Sequence, residues 1–138
     1  MDKFRSVQMR EILIVEHDFR TRGILADLLT ARGHRVEAVA TADEALHQLA
    51  SADLLILDMD GPRESIVAAL DKIRAARPDM PVVATASATW HGWRTLSTAI
   101  RLGTDDFLTK PFDEEEVALT IRSTLARGDL FARTATAA

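Results

Sequence analysis

The stretch Asp53-Leu54-Leu55-Ile56-Leu57-Asp58 is four apolar residues enclosed by two acids. It is far too short to span a bilayer, and its length and composition fit a buried strand. A strand without polar alternation is covered on both faces, as in parallel sheets packed between helices. Such sheets bind their ligands in the crevice at the carboxyl ends of the strands. Asp58 closes the run and so belongs at that crevice. An ionised carboxylate there is costly to desolvate unless a cation, a hydrogen-bond network or a reaction uses it. Asp58 is therefore the first candidate for chemistry.

Strand-like and helix-like runs alternate on either side of it. Glu11–Val15 is rich in β-formers, and Phe19–Ala31 then places Ile24, Leu25, Leu28 and Leu29 on one helical face, stopped by Gly33. Arg35–Val39 reads as a half-buried strand. Thr41-Ala42-Asp43-Glu44 has the form of a capping box, opening a helix through Leu49. Gly61-Pro62 precedes a helix marked by Ile66, Leu70 and Ile73 that ends before Pro78. Residues 81–85 read as a fourth strand, 96–102 as a shorter helix stopped by Gly103, and 106–109 as a fifth strand. Asp113-Glu114-Glu115-Glu116 is a second capping-box sequence, with its acids at the positive end of a helix carrying Val117, Ile121 and Leu125. From Arg127 the chain turns small and polar, as a frayed tail does. Five strand-then-helix units predict a doubly wound α/β sandwich, whose right-handed crossovers gather the strand ends along one edge. Glu16, His17, Asp18, Asp58, Thr85 and Lys110 fall on that edge.

The 138 residues suffice for one domain with a single substantial core. A net charge of −4 without a basic block argues against nucleic acid as the main ligand. Absence of cysteine excludes disulfides and thiolate metal sites and agrees with a reducing compartment. Met1-Asp2-Lys3-Phe4-Arg5 has no secretory apolar region, and no apolar stretch approaches membrane length. The expectation is a cytoplasmic chain with neither membrane nor nucleic acid as partner. It divides into an extension 1–9, a domain 10–127 and a flexible tail 128–138.

Four motifs in order carry a resemblance over residues 10–127. Ile12-Leu13-Ile14-Val15 precedes an acidic cluster, Asp58 follows the third strand, Thr85-Ala86 the fourth, and Lys110-Pro111-Phe112 the fifth. Each is weak alone; together, at this spacing, the chain resembles the receiver domains of bacterial response regulators. The resemblance implies a five-stranded parallel sheet flanked by five helices, of flavodoxin-like type. It also implies phosphoryl transfer to Asp58 from a histidine kinase or a histidine phosphotransfer protein in a two-component relay. A carboxylate attacking a phosphoryl group needs a divalent cation to neutralise charge, and Mg²⁺ prefers hard oxygen ligands. By resemblance Asp58 is acceptor and metal ligand, the Asp60 carbonyl a second ligand, and Glu16 a third. Lys110 would pair with a phosphoryl oxygen, Thr85 would donate its hydroxyl to another, and Phe107 would be the aromatic switch. The Lys110-Pro111 bond is expected to be cis. The implied role is a stand-alone signalling switch rather than a turnover enzyme. Its output would pass by contact with a downstream protein, through the face of the fourth helix, fifth strand and fifth helix.

The family usually has two adjacent acids after the first strand, whereas this chain has Glu16-His17-Asp18. Imidazole is a softer ligand that suits Mg²⁺ poorly. Either Asp18 reaches the site instead, or His17 joins a site that prefers Mn²⁺, or His17 only packs or caps the first helix. The loop Asp58-Met59-Asp60-Gly61-Pro62 lacks the family's usual Met-Pro pattern and resembles the nucleophile motif of haloacid-dehalogenase phosphatases. From that, Asp60 is either a general base for hydrolysis of the acyl phosphate or a solvated acid. Trp90 and Trp93 read as a docking anchor or as packing for the fourth helix. A pseudo-receiver that binds partners without phosphorylation is the rival function. A flavodoxin-like electron carrier shares the fold class but needs a glycine- and hydroxyl-rich phosphate loop after the first strand, which is absent here.

Overall fold

A computed structural model describes residues 9–87, 97 and 99–137, with side chains described as far as residue 130. Five parallel strands form one sheet in the order β2-β1-β3-β4-β5: β1 (Glu11–Val15), β2 (Arg35–Val39), β3 (Leu54–Asp58), β4 (Val82–Ser87) and β5 (Asp106–Lys110). The helices are α1 (Phe19–Ala31), α2 (Ala42–Ala45), α3 (Arg63–Ala76), α4 (residues 97–101, of which 98 is not described) and α5 (Glu114–Ala137). This is the flavodoxin-like arrangement expected, a parallel sheet between two helical layers.

The sheet divides the core in two, as the period-two geometry of strands requires. One face carries Leu13, Val15, Leu55, Leu57, Val82 and Ala84, packed with Ala45, Leu49, Leu70, Ile73 and Ala99 from α2, α3, α4 and the turn after α2. The other carries Ile12, Ile14, Leu54, Ile56, Val83 and Leu108, packed with Leu25 and Leu29 of α1 and Val117, Ile121 and Leu125 of α5. Alternate residues of one continuous apolar run thus serve opposite cores, which is why the β3 sequence has no polar position before Asp58.

Caps fix where the elements begin and end. Asp18 accepts from Thr21 N at 2.9 Å, and Thr41 accepts from Glu44 N at 3.3 Å. At the end of α1, Gly33 N donates to Thr30 O and His34 N to Leu29 O, with Gly33 at φ 92°. That is the left-handed closure that glycine permits without a Cβ penalty.

Four elements differ from expectation. The helix opened by Thr41 is α-helical only through Ala45, and residues Leu46–Ser51 tighten into a 3-10 turn. Arg77 Nη1 bonds the carbonyls of Leu49 and Ala52 at the end of that turn. Pro62, which the sequence suits to a first helical turn, is instead the N-cap of α3. β4 runs two residues past Thr85, to Ser87. Most visibly, α5 continues through the stretch expected to be a frayed tail. Asp129 accepts from Arg10 Nη1 at 3.1 Å, and Gly128 lies against Pro81, so the amino edge of the sheet supports the helix. Trp90, Trp93, the start of the helix expected at 96 and residues 1–8 lie outside the described residues. Among the described residues no helix is long and apolar enough to cross a membrane.

Candidate functional site

The carboxyl ends of β1, β3, β4 and β5 converge. Parallel register places Asp58 beside Thr85 and Ser87 beside Lys110. Lys110 Nζ is the hub. It lies 3.0 Å from Asp58 Oδ1, 3.0 Å from Asp60 Oδ2 and 2.8 Å from Glu16 Oε1. Its side chain is largely buried between these acids. Burial alone would depress the ammonium, but the bonds to Glu16, Asp58 and Asp60 outweigh it and raise the Lys110 pKa. Lys110 therefore stays charged across the physiological range.

Glu16 is almost wholly buried, and desolvation pushes its carboxyl pKa up against the opposing pull of Lys110. Oε2 accepts from Asp18 N at 3.0 Å. Oε1 makes no well-directed hydrogen bond and has only the ion-pair contact with Lys110. Three carboxylates around one ammonium leave an excess of two negative charges. A buried acidic oxygen without a directed donor and that charge deficit both fit a divalent cation.

Of the residues left open by the sequence, His17 is the one that meets Asp58: its Nδ1 contacts Asp58 Oδ2 and lies 3.5 Å from Glu16 Oε2. Glu16, His17 and Asp58 offer ligand atoms all within 4.8 Å of one another. The Asp18 carboxylate instead caps α1 through Thr21, bonds that hold its pKa low. Arg22 reaches back to the Glu16 carbonyl at 2.9 Å and fixes the turn after β1.

Thr85 is buried, and its carbonyl accepts from Met59 N at 2.7 Å, tying the loop after β3 to β4. Asp60 N donates to Asp58 Oδ1 at 2.9 Å. The Asp60 side chain turns inward. Its Oδ2 accepts from Ser87 Oγ at 2.8 Å and from Lys110 Nζ, while Ser87 N bonds both oxygens at 3.0 and 3.1 Å. These bonds overcome desolvation and lower the Asp60 pKa. Ser87 was not among the sequence candidates. Its signal was positional: two residues past Thr85 on a strand, it faces the same side as Thr85. Phe107 is half-buried against the core layer of α2 and α3, and Lys110-Pro111 is cis. His17, Asp58, Asp60, Gly61 and Ser65 line an open cleft through which a donor could approach.

The comparisons agree on the family. The model of the response regulator receiver domain matches residues 12–122. The transcriptional regulatory protein CpxR of Escherichia coli (strain K12) is 32% identical over 120 residues, covering 86% of this chain and 50% of that protein. This chain thus spans about half the length of the curated relatives it matches. The crystal structure of the receiver domain of NtrX from Brucella abortus is 31% identical with a TM-score of 0.75, covering 83% of this chain and 98% of that one. A receiver domain from Clostridium thermocellum, 21% identical with a TM-score of 0.77 over 88% and 98% of the two chains, shares the fold. Receiver domains are signalling modules that accept phosphate from histidine kinases and bind Mg²⁺ through acidic residues. The expectation that nucleic acid plays no part gains no support, because the relatives are named as transcriptional regulators. The chain belongs to the response regulator receiver domain family.

Proposed function

We propose that this chain is a phosphoryl-accepting switch with Asp58 as the acceptor. The observation that carries the reading is Lys110 Nζ at 3.0 Å from Asp58 Oδ1, with Thr85 in register beside Asp58. A carboxylate oxygen of Asp58 attacks the phosphorus of a phosphohistidine; the P–N bond breaks, the imidazole leaves, and an acyl phosphate forms. Lys110 supplies a fixed positive charge where a phosphoryl oxygen arrives, and Thr85 a hydroxyl. Glu16, Asp58, His17 and the Asp60 carbonyl would hold the divalent cation. When bound, it offsets the charge gathered between Asp58 and the phosphoryl group. Because one ligand is an imidazole nitrogen, the site favours Mn²⁺ over Mg²⁺ more than an all-oxygen site does.

Phosphorylation then shifts an existing equilibrium toward the conformer in which Thr85 and Lys110 grip the phosphoryl group. Output passes by protein contact through the face of α4, β5 and α5. The rival is a pseudo-receiver. It is supported by the chain's own groups engaging both Asp58 oxygens, His17 on Oδ2 and Lys110 with Asp60 N on Oδ1.

Incubation with acetyl phosphate and a divalent cation, followed by intact-mass measurement, separates the two. A single phosphoryl adduct on wild type that is absent from Asp58→Asn supports the acceptor reading. No adduct with either Mg²⁺ or Mn²⁺ assigns the pseudo-receiver.

A further inference from the structure

The Asp60 carboxylate lies in a cradle of one ammonium, one hydroxyl and one backbone N–H: Lys110 Nζ, Ser87 Oγ and Ser87 N, all within 3.1 Å. Of these, Lys110 Nζ is the donor a phosphoryl oxygen needs, and it stands at the strand ends next to Asp58. We propose that Asp60 is an internal anion filling the phosphoryl pocket, and that Ser87 is the positioning residue that keeps it there. This rests on Asp58 being the acceptor and adds the barrier that resists its phosphorylation.

The geometry favours competition over a remote charge effect. Lys110 Nζ has three acidic partners, Asp58 Oδ1 and Asp60 Oδ2 at 3.0 Å and Glu16 Oε1 at 2.8 Å, so an arriving phosphoryl oxygen must take the place of one of them. Asp58 is the residue being modified and stays, and Glu16 is held inside with only 2% of its side chain exposed. Asp60 is the partner that can leave, since its side chain remains 29% exposed at the mouth of the cleft while that of Asp58 is 5% exposed. The loop is shaped for the inward position: Gly61, immediately after Asp60, has φ 151°, a conformation that residues with a Cβ rarely adopt.

Beryllofluoride, a non-hydrolysable phosphoryl mimic, tests the competition separately from hydrolysis. Its affinity in Mn²⁺ is measured by the fluorescence of Trp90 and Trp93 for wild type, Asp60→Asn, Ser87→Ala and the double variant, with thermal melts as the folding control. Removing the carboxylate is expected to tighten binding roughly tenfold, since hydrogen bonds to a charged group are the stronger class. Ser87→Ala is expected to tighten it about threefold by loosening Asp60, with no further gain in the double variant. A gain with Asp60→Asn but none with Ser87→Ala means simple charge repulsion and overturns the proposal. Equal affinity in wild type and both single variants overturns it while leaving Asp58 as acceptor. Binding by both Asp60→Asn and Ser87→Ala, with none by wild type, supports it. Absence of binding in every variant overturns both this proposal and the acceptor reading.

Discussion

His17 occupies a position where the sequence departs from the family's usual pattern, and the structure gives it a partner, Asp58. Replacing it by a carboxylate would convert a mixed nitrogen and oxygen ligand set into one of hard oxygens. His17→Asp is therefore expected to tighten Mg²⁺ binding about tenfold by calorimetry and to narrow the gap between Mn²⁺ and Mg²⁺. If the two metals keep the same ratio of affinities in the variant, His17 is not a ligand. Much of this site was readable residue by residue. Asp58 and Lys110 each end a strand, Thr85 lies two residues before the end of one, and Glu16 follows one, so sequence position alone set them on one edge. The direction of a side chain was not readable. Nothing in Glu16-His17-Asp18 tells which of two neighbours turns inward, because that depends on Asp18 being claimed by the amide of Thr21.

That claim belongs to the scale of elements. Asp18 is the N-cap of α1, accepting from both Thr21 N and Thr21 Oγ. Asp18→Ala is expected to lower the melting temperature while leaving metal and beryllofluoride affinity unchanged. A loss of metal affinity at an unchanged melting point would return Asp18 to the site. Strand and helix order was legible because each element carries its own period and its own cap. The extents were less so. β4 was read as ending at Thr85, because Ala86-Ser87 has no apolar signature, yet the ladder to β5 extends to the pair Ser87 and Lys110. α5 was read as ending near Arg127, since its later residues show no strong apolar stripe. Its continuation depends on an ion pair to Arg10, over a hundred residues away, and local sequence does not report such a contact.

At the scale of the whole molecule, the edge of the sheet opposite the site has its own titratable link. His34 Nδ1 accepts from Arg10 N at 3.3 Å where β1 and β2 begin, which requires that nitrogen to be unprotonated. Burial first, and the charge of Arg10 second, hold its pKa below the ordinary histidine value. The unfolded chain thus binds this proton more readily than the native one. The stabilising effect is complete above about pH 6.5 and is lost as the pH falls below that toward the native pKa. The urea midpoint is expected to drop between pH 7 and pH 5.5, and His34→Asn, which keeps an acceptor but does not titrate, should flatten part of that slope. An identical slope in the variant would place the pH dependence elsewhere.

The long last helix joins the two edges. Its first residues follow the cis Lys110-Pro111 bond at the site, and by Asp129 it has reached the level where the strands start. At 1.5 Å per residue its 24 residues span about 36 Å, roughly twice the length of a five-residue strand. Eight residues project beyond the Arg10 tether. α5 is thus a lever with its fulcrum at the amino edge. A small tilt imposed at the site, where the proposed phosphoryl transfer would change the grip of Lys110, would emerge as a displacement at the far tip, on the side of the molecule that no phosphate touches.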